Sequence, residues 1–120
     1  MSYFVRKKEE ATEKVIEEDW GSLRWLANRE IGNAEELTFG RVTIKKGSSN
    51  PSHTHPNCEE ILYLLQGRLE HTIGDEKVVL EPGDTLTVEK GTSHHAVSIG
   101  ESDAEMIVAY SSGERRTIGE

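Results

Sequence analysis

The sequence predicts an all-β domain, a sandwich or barrel built from short strands. Three observations predict it. Short apolar runs follow one another closely, at residues 23–27, 37–44, 60–65, 68–73, 77–80, 85–89, 94–99 and 104–110. Turn signals separate them: Lys46-Gly47-Ser48-Ser49-Asn50-Pro51, Gly67, Gly74-Asp75, Glu81-Pro82-Gly83-Asp84, Gly91-Thr92-Ser93 and Gly100. The gaps between runs leave no room for the helices of roughly 10 to 15 residues that a parallel βαβ design needs.

Length and composition bound the rest. A chain of 120 residues makes one domain with one core. It is expected to divide into a charged arm, residues 1–20, and one barrel domain, residues 21–120. No apolar run approaches the length of a membrane-spanning helix. The start, Met-Ser-Tyr-Phe-Val and then charge, has no signal-peptide core. A single cysteine, Cys58, excludes an internal disulfide and suits a reducing compartment. A cytoplasmic protein is therefore expected. Fourteen basic against 22 acidic residues give a net charge of -8, so nucleic acid is not an expected partner.

In chain order, the arm between Arg6 and Asp19 carries only Ala11, Val15 and Ile16 as apolar residues. It reads as solvated, ending in an edge strand over Val15–Glu18. Trp20 and Trp25 flank Gly21 and are expected to pack beneath it. Arg41 interrupts the apolar run 37–44. It suits either recognition of a carboxylate substrate or a structural ion pair.

The loop ending in Pro51 opens into His53-Thr54-His55. Residues i and i+2 of an extended chain face the same way, so these two imidazoles can converge on one metal ion. Cys58 is expected to be a small packing residue. Glu60 heads the next run, where a lone buried carboxylate would be costly unless a cation met it. Glu60, Leu62 and Leu64 share one face of that strand; Ile61, Tyr63 and Leu65 share the other. Both faces are mostly apolar, which predicts a strand covered on both sides. One barrel has one interior, so the second cover implies another layer or another subunit, and a homodimer is expected.

His71 lies in the run 68–73 with Leu69 and Ile73 on its face. It suits a buried core position or a substrate contact. His94 follows the tight turn at Gly91 and opens the run 94–99; His95 must point the opposite way. Tyr63 and Tyr110 read as core or interface residues. Three imidazoles and one carboxylate form a mixed N/O donor set, suited to a divalent transition metal: iron, manganese, nickel, copper or zinc.

These spacings resemble the cupin family. Gly47, five residues, His53-x-His55, four residues, Glu60, six residues and Gly67 match the first cupin motif at every fixed position. Gly83, Gly91 and His94 fall in register with the second. Glu89 stands where proline is usual there, and Ser98 where asparagine is usual. The resemblance covers roughly residues 40–110. It implies an antiparallel double-sheet jelly roll with a metal at one open end, held by His53, His55, Glu60 and His94. Glu59 competes with Glu60 as the carboxylate ligand. Its place next to Glu60 puts it on the opposite face, and the spacing to Gly67 favours Glu60. The function implied is a metal-dependent enzyme acting on a small polar metabolite, a sugar or organic acid. Dioxygenase, isomerase, decarboxylase and lyase chemistry all remain open. The alternative is a non-catalytic protein binding the same kind of ligand. His71 and Arg41 are the further candidates for contact with that ligand.

Overall fold

The computed structural model describes residues 2–12 and 14–119. Among them are two antiparallel sheets that face each other. One sheet has the order β1-β2-β3-β10-β5-β8 and the other β11-β4-β9-β6-β7. The strands of the first sheet are β1 (Val15–Glu18), β2 (Gly21–Ala27), β3 (Thr38–Ile44), β5 (Glu60–Gln66), β8 (Thr85–Val88) and β10 (Ala104–Tyr110). Those of the second are β4 (His53–Thr54), β6 (Leu69–Ile73), β7 (Glu76–Leu80), β9 (His94–Ser98) and β11 (Ile118–Gly119). This is the double-sheet jelly roll. Each apolar run of the sequence became a strand, within one or two residues at either end. The sequence pattern missed β4 and β11, because two residues are too few to show a period.

A single helical turn, α1 (Lys8–Ala11), interrupts the arm and buries nothing. β1 follows it at the edge of the first sheet, with all four residues exposed. No helix is long and apolar enough to cross a membrane.

Alternation fills the space between the sheets. β3 and β10 bury every second residue: Thr38, Gly40, Val42 and Ile44 from one, Ala104, Met106, Val108 and Tyr110 from the other. β5 adds Glu60, Leu62 and Leu64. β6 and β9 close the core from the second sheet with Leu69, His71, His94, Ala96 and Ser98.

Gly67 and Gly40 are among the glycines required by what lies beside them. Gly67 turns β5 into β6 at φ 88°, and a Cβ there would meet the Ala104 Cα at 2.8 Å. At Gly40 a Cβ would lie 2.5 Å from the Trp25 ring. The missing side chain of Gly40 is therefore the space into which Trp25 packs.

Of the two covers expected for β5, the single chain supplies the inner one. Leu62 and Leu64 are buried, but Ile61, Tyr63 and Leu65 stay 44%, 42% and 38% exposed. Among the described residues the outer face of the sheet has no second layer, since β6 to β9 add only to the barrel wall.

Candidate metal centre

His53, His55, Glu60 and His94 each offer a donor atom, and these atoms all lie within 4.8 Å of one another. Four local features bring them there. β4 holds His53 in register with His94 of β9. His55 leaves β4 toward the interior, and its carbonyl accepts the Gly91 N–H at 3.0 Å. Glu60 is the first inward residue of β5. Its exposed neighbour Glu59 points out, as alternation requires. Gly91 turns at φ 78° to deliver His94.

The rings are fixed from behind. His53 Nδ1 lies 2.7 Å from the Pro51 carbonyl oxygen, His55 Nδ1 2.9 Å from that of Arg116, and His94 Nδ1 2.9 Å from that of Thr92. A carbonyl only accepts, so each Nδ1 carries its proton and donates it. Each neutral ring then presents the lone pair of Nε2. The Nε2 atoms of His94 and His55 stand 3.1 and 3.2 Å from the same Glu60 oxygen. His55 Nε2 is buried and has no hydrogen-bond partner. Lone pairs facing a carboxylate oxygen at this range repel unless a positive charge sits among them. The donor set therefore fits a cation, and its mixed N/O chemistry fits a divalent transition metal.

Electrostatics agree. Burial alone would raise the Glu60 carboxyl, but the imidazoles of His55 and His94 outweigh it and hold its pKa well below the usual carboxylate range. Burial pushes His53 down to about 4. Burial also opposes the charged form of His94, yet Glu60 outweighs it and raises that ring's pKa. Without a metal, one positive charge is thus best placed as a proton between His94 and Glu60.

The cluster forms one end of a cavity of about 290 Å³ between the sheets. His71 also lines it, stacked on His94 with ring centroids 5.8 Å apart. Both His71 nitrogens are buried without a hydrogen-bond partner, and burial pushes its pKa down to about 4. Arg41 lies elsewhere. It is on the outer face of β3, 3.4 Å from Glu105, and does not line the cavity. Its place is the ion pair, not the substrate contact. His95 and Cys58 are outside the donor set, and burial pushes the Cys58 thiol pKa up.

Three features of the site were not legible as site features in the sequence. Tyr110 is buried beside it, its ring edge-on to His55 at 5.0 Å, and burial pushes its phenol pKa well above the ordinary value. Arg115 also lines the cavity. Its guanidinium lies 4.6 Å from the Trp25 ring centroid and 5.1 Å from that of Tyr110. No carboxylate among the described residues is in ion-pair range of it. The third is the strap that carries Arg115, residues 111–119. Asn57 fixes it, accepting the Arg116 N–H at 3.0 Å and donating to the Glu114 carbonyl at 2.8 Å. The sequence offered only a basic pair at Arg115-Arg116 with no period around it.

Comparison with known proteins matches residues 40–110 to the family model of the cupin domain. The chain belongs to the cupin family. This cupin is 32% identical over 85 residues to germin-like protein 3-8 of Oryza sativa subsp. japonica, covering 67% of this chain and 38% of that protein. It is 28% identical over 96 residues to oxalate oxidase 2 of Hordeum vulgare, covering 73% of this chain and 41% of the other. Its structure is similar to that of the oxalate decarboxylase of Lactobacillus farciminis in a formate complex. The TM-score is 0.82 at 19% identity, over 88% of this chain and 33% of that one. At that identity the likeness speaks for the fold. The cupin thus spans less than half the length of each of these three proteins.

Proposed function

We propose that the chain is a metal-dependent enzyme acting on a small organic acid, with His53, His55, Glu60 and His94 as the metal ligands. One observation carries this reading. Three imidazoles have Nδ1 pinned to carbonyls, two of them turn Nε2 toward one buried carboxylate, and the donor atoms of all four residues lie within 4.8 Å of one another. Such a site is built for a cation. Four protein ligands leave an octahedral ion two open positions, which adjacent oxygens of an acid can fill.

A divalent ion bound there would polarise those oxygens as a Lewis acid and, if redox-active, would open oxidative chemistry as well. The chain's own residues do the rest. The carbonyls of Pro51, Thr92 and Arg116 keep the rings oriented and their Nε2 lone pairs free. Arg115 supports the choice of an acid. Its planar fork matches a carboxylate, it stands in the same cavity, and no carboxylate among the described residues is in ion-pair range of it. The Tyr110 phenol stays protonated and the His71 ring stays neutral at physiological pH. The names of the relatives, oxalate oxidase and oxalate decarboxylase, point to the same substrate class.

The test is metal analysis of protein purified without added metal, then turnover of a panel of organic acids with and without dioxygen. Bound divalent metal with turnover of an acid supports the proposal, and oxygen dependence separates oxidation from decarboxylation. Protein that binds no divalent metal at micromolar concentrations overturns it.

A further inference from the structure

We propose that the acid taken by this site carries an apolar body, which lies along the inner faces of β10, β5 and β3. The inference rests on the organic-acid reading above and adds the shape of the substrate. Strand register supplies a depth axis. Tyr110 pairs with Glu60 of β5 and Thr38 of β3, at the metal end. Two residues further in, Val108 pairs with Leu62 and Gly40; two further still, Met106 pairs with Leu64 and Val42. At roughly 3.4 Å per residue, the distance from Tyr110 to Met106 is about 14 Å.

The cavity follows this axis. His53, Glu60, His94 and Arg115 line its polar end. Leu62, Val108, Met106, Val42 and Ile44 form the wall that the first sheet supplies, while His71 and Ala96 line the cavity from the second sheet and Asn50 and Glu18 also border it. The five side chains of the first sheet offer no hydrogen bond, so a polar group placed against that wall would lose its water without replacement. Apolar surface placed there gains free energy in proportion to its area. A two-carbon diacid such as oxalate has no apolar surface. It would occupy the polar end alone and leave the apolar length unused. The walls match an acid with its oxygens at the metal end and a hydrocarbon body behind them.

The experiment is calorimetric titration of the metal-loaded full chain with linear 2-hydroxy acids, from glycolate to 2-hydroxyoctanoate, and with oxalate. Affinity should rise about threefold to fourfold per added methylene until the apolar length is filled. The longest acids should bind more tightly than oxalate. Val42→Phe, which narrows the cavity at the Met106 level, should keep the metal content and glycolate affinity but abolish the gain for long acids. If that variant does not fold, the series on the unaltered chain decides alone. Affinity that is flat along the series, or tightest for oxalate, overturns this inference and leaves the organic-acid reading standing. Protein that holds its metal but binds none of these acids overturns both.

Discussion

Tyr110 and Glu60 are direct cross-strand partners, one on β10 and the other on β5. The same pairing places a buried phenol beside the buried carboxylate, which is among the groups that raise the Tyr110 pKa. A phenol that stays protonated can only steady the anionic form of its neighbour. Tyr110→Phe should therefore retain the fold while lowering metal affinity, by up to about tenfold. The check is metal titration of the two proteins against a competing chelator. Equal affinities would leave Tyr110 a packing residue.

The ligand set makes a sharper prediction. His53→Ala, His55→Ala, Glu60→Ala and His94→Ala should each reduce metal content severely. Glu59→Ala should leave it unchanged, because that side chain is on the outer surface. Metal analysis after dialysis measures it. Loss of metal from Glu59→Ala with retention in Glu60→Ala would shift the register of β5 by one residue.

The fold was legible because nearly every strand carries its own period and its own turn. Leu62 and Leu64 had to face inward, and Gly67 had to turn the chain. The donor set was legible too, since His53, His55 and Glu60 are close in sequence and His94 follows a marked turn. Arg115 was not. Its place depends on a segment with no hydrophobic alternation and on a stacking surface formed where Gly40 leaves room for Trp25. Arg41 stayed open between two readings for a related reason. An interrupting charge in a strand marks either the interior or the outer face, and it is the pairing with β10, which sets Glu105 diagonally beside Arg41, that decides which.

His71 is a buried imidazole with neither nitrogen satisfied, which costs stability. His71→Phe should stabilise the metal-free chain by about 1 to 3 kcal/mol, read from urea unfolding. The same variant should alter acid sensitivity. The folded pKa of His71 is about 4, below its unfolded value of 6.5. As pH falls through this window the unfolded chain takes up a proton that the folded chain refuses, so stability falls. His53 acts in the same sense and His94, whose pKa is raised, in the opposite one. The variant should therefore unfold less readily than the unaltered protein between about pH 6.5 and pH 4. A destabilised variant with an unchanged pH profile would mean that the imidazole finds a partner in solution.

The open face of β5 predicts self-association. Ile61, Tyr63 and Leu65 lie together on the outer side of the sheet, and Phe39 of β3 is 39% exposed on the same side. An apolar patch of this kind marks an interaction surface or an aggregation hazard. We expect a homodimer by light scattering, and Tyr63→Lys should convert it to a folded monomer with its metal retained. A monodisperse monomer of the unaltered chain at micromolar concentration would refute this.

Asn57 offers the most specific test of how the metal end is held. Its side chain makes three hydrogen bonds with the strap: it accepts the Arg116 N–H and donates to the Glu114 carbonyl and, at 3.4 Å, to the Ser112 hydroxyl. The Arg116 carbonyl in turn fixes the His55 ring, and β11 pairs with β4 just beyond. Asn57→Ala removes all three strap contacts without touching a ligand, at a cost of about 1 to 3 kcal/mol in stability. The larger effect should be on the metal. With its carbonyl free to move, His55 can rotate or change tautomer, and loss of such an outer partner typically weakens binding by about 10- to 100-fold. Asn57→Asp keeps the acceptor for the Arg116 N–H and loses the donor to Glu114, so it should recover part of the affinity. Both variants should keep the strand content seen by circular dichroism. If Asn57→Ala binds metal as tightly as the unaltered chain, the Arg116 carbonyl is not what orients His55, and the strap serves only to cover the cavity.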